Sequence, residues 1–114
     1  KRQPDASMTV ASVDLGREKT TITATGAMSE YGKVYVTYNL AYNSGRSGGL
    51  VTGQGRGATA DDIAAAVFAG HWYRDGSKVI MRNVVQIDDG TQNLDVITFD
   101  AVNNTLDVEV YVLK

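Results

Sequence analysis

The stretch GLVTGQGRG, residues Gly49–Gly57, decides the fold of this chain. Its glycines at 53, 55 and 57 recur at every second position, and in a β-strand such positions point to the same face. One face of this strand is therefore bare backbone, which allows a sheet to bend sharply or to coil tightly. A phosphate-binding loop is the competing interpretation, but such a loop opens directly into a helix and has a different glycine spacing. We therefore predict a strongly bent strand of the kind found in a small closed barrel.

The composition predicts a single small domain. The chain has 114 residues, which is enough for one domain with a real core. A formal net charge of −2 with interspersed signs offers no basic face, so we predict no nucleic-acid partner. No apolar run reaches the roughly 18 residues of a membrane helix, so we predict no membrane span. Cysteine is absent, which excludes disulfides and thiolate chemistry but leaves the compartment open.

Alternating apolar and polar residues predict the strands. Residues 19–28, 33–42 and 105–112 alternate most clearly, as half-exposed strands do. The apolar face of the second of these contains Val34, Val36, Tyr38, Leu40 and Tyr42. Asp75-Gly76 and Asn103-Asn104 favour tight hairpin turns. We therefore predict about eight antiparallel strands that follow one another in meander order.

Two segments do not show a strand pattern. Residues 1–7 are polar and contain the only proline, so we predict a loose N-terminal arm before a single domain over residues 8–114. Residues 59–66 have helical character, because Thr59 can cap a helix and Asp61 and Asp62 suit the positive end of a helix dipole. We predict one or two helical turns there, with the chain extended again by about Val67.

Eight antiparallel strands in one open sheet would leave two exposed edges. Closure removes those edges, and eight strands enclose an interior that side chains fill or that holds one small ligand. We therefore predict an all-β fold, an antiparallel meander closed into a small barrel. A two-layer β-sandwich is the alternative.

The residues Gly70-His71-Trp72 resemble the Gly-x-Trp signature of lipocalins and other calycin-like barrels, although lipocalins carry it at the first strand. The resemblance implies that Trp72 closes one end of the barrel against a basic residue, either Arg74 or Arg82. The size, glycine-rich central strands and meander order are also similar to those of allene-oxide-cyclase-like barrels and the uncharacterised bacterial proteins grouped with them. That similarity implies a lumen that binds a hydrophobic small molecule, sometimes with cyclase or isomerase activity.

Five residues are candidates for lining a ligand site in the lumen. They are Tyr38, Gln54, Arg56, Trp72 and Asn83. Asn83 shares the apolar face of its strand, and a buried amide needs a hydrogen bond from protein or ligand. Arg56 is placed to meet an anionic or carbonyl-bearing ligand, and the aromatic rings match the usual lining of small-molecule sites. The alternative is that these residues are ordinary core and surface side chains.

Metal or cofactor chemistry is not predicted. His71 is the only histidine, and it has no cysteine or second imidazole with which to share a metal. Asp61-Asp62 and Asp88-Asp89 are neighbours in the chain, and such neighbours on a strand point to opposite faces, so they do not predict an acid–base pair. Asp95 falls where an outer face is expected.

Three functions are compatible with these patterns. The first is a barrel that binds an apolar or carbonyl-bearing small molecule. The second is a cofactor-independent cyclase or isomerase, in which Arg56 or Tyr38 polarises a carbonyl. The third is a structural module that forms a homo-oligomer.

The strand predicted at residues 78–87 is apolar on both faces, at Ile80, Val84 and Val85. Its outer face is therefore expected to be covered by a second subunit or by the N-terminal arm.

Overall fold

The computed structural model describes residues 2–28 and 31–114. Its strands are β1 (Arg2–Leu15), β2 (Lys19–Ala27), β3 (Lys33–Ala41), β4 (Gly48–Ala58), β5 (Ile63–Asp75), β6 (Lys78–Ile87), β7 (Gln92–Asp100) and β8 (Thr105–Val112). Each strand pairs antiparallel with its neighbours in sequence, and β1 pairs with β8 to close the barrel. The predicted closed meander is confirmed, and the fold is not a sandwich. In the described part of the chain there is no helix long and apolar enough to cross a membrane.

The glycine face of β4 points into the barrel. Gly53 lies opposite Phe68 of β5, and a Cβ atom at Gly53 would come within 2.5 Å of the Phe68 ring as well as striking the Thr37 carbonyl oxygen. The aromatic ring therefore occupies the space that a side chain at Gly53 would need. Gln54 and Arg56, between the glycines, are exposed on the outer surface.

The core is built from the apolar faces that the alternation predicts. From β3, Val34, Val36, Tyr38 and Leu40 are all buried. The other strands add a further set of buried side chains, including Ile22, Ala24, Met81, Val85, Ile87, Ile97, Leu106, Val108 and Val110. Strand order and alternation together fill most of the lumen with side chains, as is usual for eight strands.

The N-terminal segment differs from the prediction of a loose arm. β1 begins at Arg2 and pairs with β8 from the start. Its register shifts between Gln3 and Ala6, which brackets Pro4. Proline lacks an N–H group and is tolerated in sheets at such irregularities, so Pro4 interrupts the ladder without ending the strand.

The helical turns predicted over residues 59–66 are wrong. Thr59 accepts hydrogen bonds from the Asp61 and Asp62 amides, so it organises a tight turn rather than a helix. β5 already begins at Ile63, where it pairs with Ala58 of β4. Pairing across eleven positions of β4 overrides the helix propensity of the alanines, because tertiary context outweighs so small a preference.

The two apolar faces of β6 have different environments. Val85 points inward and is buried, whereas Val84 points outward and is 52% exposed. Val67 on the outer face of neighbouring β5 is 58% exposed. The N-terminal segment does not cover this surface, since it forms β1 between β2 and β8.

Candidate functional site

One end of the barrel contains a cavity of about 80 Å³. We call it the end cavity; it lies where the β2–β3, β4–β5 and β6–β7 connections meet. Its wall is mostly apolar and is formed by residues of every strand except β2, together with Met28 and Tyr31 of the β2–β3 connection. The lining residues include Met8, Met28, Tyr31, Val36, Tyr38, Gly55, Ala66, Phe68, Val85, Ile87, Asn93, Asp95 and Val110.

The end cavity exists because β4 and β5 contribute almost no side-chain volume there. Gly55 and Gly57 of β4 and Ala64, Ala65 and Ala66 of β5 form one side of it. A Cβ atom at Gly57 would lie 2.6 Å from the Tyr31 carbonyl oxygen, so that position requires glycine. A Cβ atom at Gly55 would meet nothing closer than 3.4 Å, so its missing side chain leaves real space.

Asp95 carries the one carboxyl group among the described residues that line the end cavity. Its Oδ1 atom is buried and has no hydrogen-bond partner within residues 2–28 and 31–114. Burial raises the pKa of Asp95 to about 7, because a carboxylate is disfavoured where water is excluded. Arg56, the one cationic residue among the described lining residues, turns its guanidinium outward and donates to the Gly55 carbonyl oxygen at 2.8 Å. No cationic group of the described lining residues therefore balances the Asp95 carboxylate.

Asn83 lies beside Asp95 in the barrel interior. The two residues are directly opposite each other in the β6–β7 pair. Asn83 is 0% exposed, and neither its Nδ2 nor its Oδ1 atom has a partner among the described residues. A Cβ atom at Gly70 on the adjacent strand would strike the Asn83 Oδ1 atom. Glycine at this position therefore makes room for the buried amide.

Tyr38 brings an aromatic ring and a hydroxyl group to the same region. Its ring packs against Phe68 with centroids 5.1 Å apart. The pKa of Tyr38 is raised, first by burial and then by the negative charge of Asp95. The phenol therefore stays protonated at neutral pH and is available as a hydrogen-bond donor.

Tyr31 fixes the rim of the end cavity. Its hydroxyl oxygen lies 3.1 Å from Asn93 Nδ2 and 3.2 Å from Gln3 Nε2, and both amides donate to it. These bonds join the β2–β3 connection to β7 and β1. The rim is thus held by side chains from three separate parts of the sequence.

The structure separates the five predicted ligand-site residues. Tyr38 lines the end cavity. Asn83 is buried and lies opposite Asp95, so its predicted inward orientation is confirmed. Trp72 is buried at the other end of the barrel. The placement of Gln54 in the lumen is wrong, because the glycines take the inward positions of β4 and turn its side chain to solvent. Arg56 borders the end cavity, but its side chain is exposed.

The opposite end contains a second recess, of about 520 Å³, lined in part by Trp72, Leu40 and Arg74. The Trp72 indole donates to the Ala41 carbonyl oxygen at 2.7 Å and packs edge-on against Tyr42. None of the unpartnered buried polar atoms of the described residues belongs to a residue that lines this recess. It therefore lacks the unsatisfied polar groups that distinguish the end cavity.

The basic residues predicted to face Trp72 lie in different places. Arg74 shares the second recess with Trp72. Arg82 is exposed on the outer face, with its guanidinium carbon 5.8 Å from the centroid of the Tyr73 ring. His71 lies opposite Arg82 on the same outer surface.

Sequence reasoning missed Asp95, Asn93 and Tyr31. The expectation that Asp95 faces outward is wrong, because Asn93, Asp95 and Ile97 share the inner face of β7. Alternation counted back from Ile97 would have placed both polar residues inside. The signal was weak, since the outer face of β7 also carries Leu94 and Val96. No local pattern pointed to Tyr31, which lies in the β2–β3 connection and not in a strand.

No protein-family model, curated protein or solved structure matches this chain. The resemblance to lipocalins and to allene-oxide-cyclase-like barrels therefore stays a prediction.

Proposed function

We propose that this protein binds a small, mostly apolar molecule in the end cavity. The observation that supports the proposal is the unpartnered Asp95 carboxyl in an otherwise apolar wall. Ligand sites commonly combine an apolar lining with a few polar groups that set orientation. Asp95, Tyr38 and Asn93 supply such groups from β7 and β3.

The energetics favour a ligand over a purely structural role for these groups. A buried polar atom without a partner costs about 1–3 kcal/mol of stability, and three such atoms belong to Asn83 and Asp95. Apolar residues at both positions would avoid this cost. Strongly perturbed ionisable groups in a cavity are characteristic of functional sites.

The cavity volume indicates the size of the ligand. A single water molecule needs about 15 Å³ of such space, so 80 Å³ accommodates roughly five groups of that size. The enclosed part of the ligand is therefore a short alkyl chain or a small ring. A longer molecule would extend out of the barrel past the Tyr31 rim.

Filling the end cavity is expected to abolish ligand retention. Gly55→Val adds three carbon atoms at the one glycine of the cavity wall whose Cβ position is free. Native mass spectrometry of gently purified wild-type protein is expected to show an added small mass that disappears on denaturation. The Gly55→Val protein is expected to carry no added mass.

Thr52→Val is the matched control, because Thr52 lies on the same strand with its side chain exposed outside the barrel. This variant is expected to retain the ligand as the wild type does. A thermal melt of each variant shows that it is folded. Equal retention by the wild type and a folded Gly55→Val protein would contradict the proposal, and so would a wild-type protein that never carries a bound mass.

A second candidate function, a cofactor-independent isomerase, is favoured by the pKa of Asp95, about 7. A general base is most effective when its pKa is near the working pH. In this scheme the substrate is a ketone with a carbon–carbon double bond one carbon removed from conjugation, and the Asp95 carboxylate takes a proton from the carbon between that double bond and the carbonyl group. The Tyr38 hydroxyl donates to the carbonyl oxygen as negative charge develops there. Asp95 then returns the proton to a different carbon, so that the double bond moves.

Solvent isotope exchange tests this candidate. In D₂O, 2-butanone is expected to gain deuterium at the carbons beside its carbonyl faster with wild-type protein than with buffer alone. Asp95→Asn is expected to remove the acceleration, whereas Asp61→Asn, which changes an exposed carboxylate in the β4–β5 connection, is expected to keep it. Exchange no faster than in buffer would rule out this role for Asp95 with small ketones.

A further inference from the structure

We propose that the ligand of the end cavity carries a protonated amine, which pairs with the Asp95 carboxylate while its apolar part packs against the cavity wall. This inference rests on the proposed function, since it names the chemical class of the ligand at that same site.

The charges on the cavity wall favour a cationic ligand. The described lining includes one carboxyl group, at Asp95, and no cationic side chain turned inward, since Arg56 is directed to solvent. An ionised carboxylate only accepts hydrogen bonds. A ligand anion would meet a like charge with no counterion, whereas an ammonium group supplies the missing donors and the missing charge.

The neighbouring polar atoms also favour a donor. Asp95 Oδ1, in the cavity wall, is a buried acceptor without a partner in the described part of the chain. An ammonium group has three N–H donors and brings a positive charge to this acceptor. A hydroxyl group has one donor and brings no charge.

Folding has already removed most of the water around Asp95. Usually a buried ion pair gains little, because both partners lose their hydration when it forms. Here the burial that raises the pKa of Asp95 has occurred before the ligand arrives. Folding therefore meets much of the cost of burying the carboxylate, so a larger part of the Coulomb attraction appears as binding affinity.

The wall suits the apolar part of such a ligand. Met8, Phe68 and Val85 offer flexible and aromatic apolar surface. The Tyr38 ring lies next to Phe68, and aromatic faces also attract cations. n-Butylammonium, with a four-carbon chain, is therefore the probe that matches the cavity volume.

Calorimetric titration with three probes of equal chain length tests the inference. At pH 8, n-butylammonium is expected to bind at least tenfold more tightly than 1-butanol, and butyrate is expected to bind most weakly. Asp95→Asn is expected to bring the ammonium and alcohol affinities within about twofold of each other. Asp61→Asn, which neutralises an exposed carboxylate at the same end of the barrel, is expected to keep the tenfold preference.

The preference is expected to depend on pH. The pKa of Asp95 is about 7, so at pH 6 only about one tenth of the carboxyl groups are ionised. n-Butylammonium affinity is therefore expected to fall about tenfold between pH 8 and pH 6, with 1-butanol affinity nearly constant. Among the described lining residues, the other titratable groups are Tyr31 from the β2–β3 connection, Tyr38 from β3 and Arg56 from β4, whose exposed guanidinium donates to the Gly55 carbonyl oxygen. The described lining residues of β1, β5, β6 and β8 carry no charge.

The outcomes separate the inference from the function on which it rests. Equal binding of n-butylammonium and 1-butanol, both lost in Gly55→Val, would overturn the amine assignment and leave the end cavity as a ligand site. A tenfold preference that survives in Asp95→Asn would also overturn it. Binding of either probe that is unaffected by Gly55→Val would contradict both the inference and the proposed function.

Discussion

Asp95→Asn is expected to raise the free energy of unfolding by about 3 kcal/mol at pH 8 and to leave it nearly unchanged at pH 4. The pKa of the buried carboxyl rises from 3.8 to about 7 on folding. A shift of one pKa unit corresponds to about 1.4 kcal/mol, so ionised Asp95 lowers stability by at most about 4 kcal/mol above pH 7. The expected effect is smaller than this limit because Asp95 is only partly buried and solvent screens part of its charge.

The direction of the pH dependence follows from proton binding. Between the unfolded pKa near 4 and the folded pKa near 7, the folded state binds more protons at Asp95 than the unfolded state does. Stability must therefore fall as the pH rises through this window and become level above it. Below pH 4 the carboxyl is protonated in both states, so it resembles the neutral amide of the variant.

Urea unfolding of the wild type and Asp95→Asn at pH 4, 5, 6, 7 and 8 measures this effect. The difference between the two proteins is expected to grow across the window, because contributions from all other groups cancel. Asp61→Asn is the control, since its exposed carboxylate is expected to give no such trend. Parallel stability curves for the wild type and Asp95→Asn would show that Asp95 is not buried as described.

Gly53→Ala and Gly55→Ala are expected to have opposite effects, although the two glycines lie two residues apart on the same face of β4. A Cβ atom at Gly53 would collide with the Thr37 carbonyl oxygen and the Phe68 ring. The Thr37 carbonyl oxygen belongs to the backbone of the paired strand β3 and cannot turn aside as a flexible side chain can, and overpacking of this kind costs about 3 kcal/mol. At Gly55 the nearest atom would be 3.4 Å away.

Gly55→Ala is therefore expected to leave the free energy of unfolding unchanged or to raise it by up to about 1 kcal/mol, because alanine restricts the unfolded chain more than glycine does. Urea denaturation of the two variants and the wild type measures both effects. Equal destabilisation by the two substitutions would mean that Gly55 does not border empty space, and the end cavity would not exist in solution.

The sequence predicts the architecture well because the relevant signals are local and periodic. Alternation in β3 and the hairpin turn at Asp75-Gly76 specify antiparallel strands, and the glycines of β4 indicate where the sheet coils. The helix predicted near Thr59 failed for a tertiary reason. The alanines that favour a helix pair with β4 and form a strand instead, and no local sequence pattern predicts that pairing.

The candidate site was harder to predict, because it depends on which faces meet and on what is missing. The inward position of Asn83 follows from the apolar residues around it in β6. Asp95 was misplaced because both faces of β7 carry apolar residues, so alternation alone does not assign its direction. The end cavity has its volume because glycines and alanines on two strands leave space that the side chains of the other strands do not fill.

Methyl NMR of the methionines tests most directly whether the end cavity binds small molecules. The chain has three methionines; Met8 and Met28 line the end cavity, whereas Met81 is 0% exposed and lines neither recess. On titration of ¹³C-methyl-labelled protein with n-butylammonium and, separately, 1-butanol, we expect saturable shifts of the Met8 and Met28 signals. The Met81 signal is expected to stay in place, and Gly55→Val is expected to abolish the shifts. No saturable shift with either probe, or shifts of Met81 equal to those of Met8 and Met28, would contradict a ligand site in the end cavity.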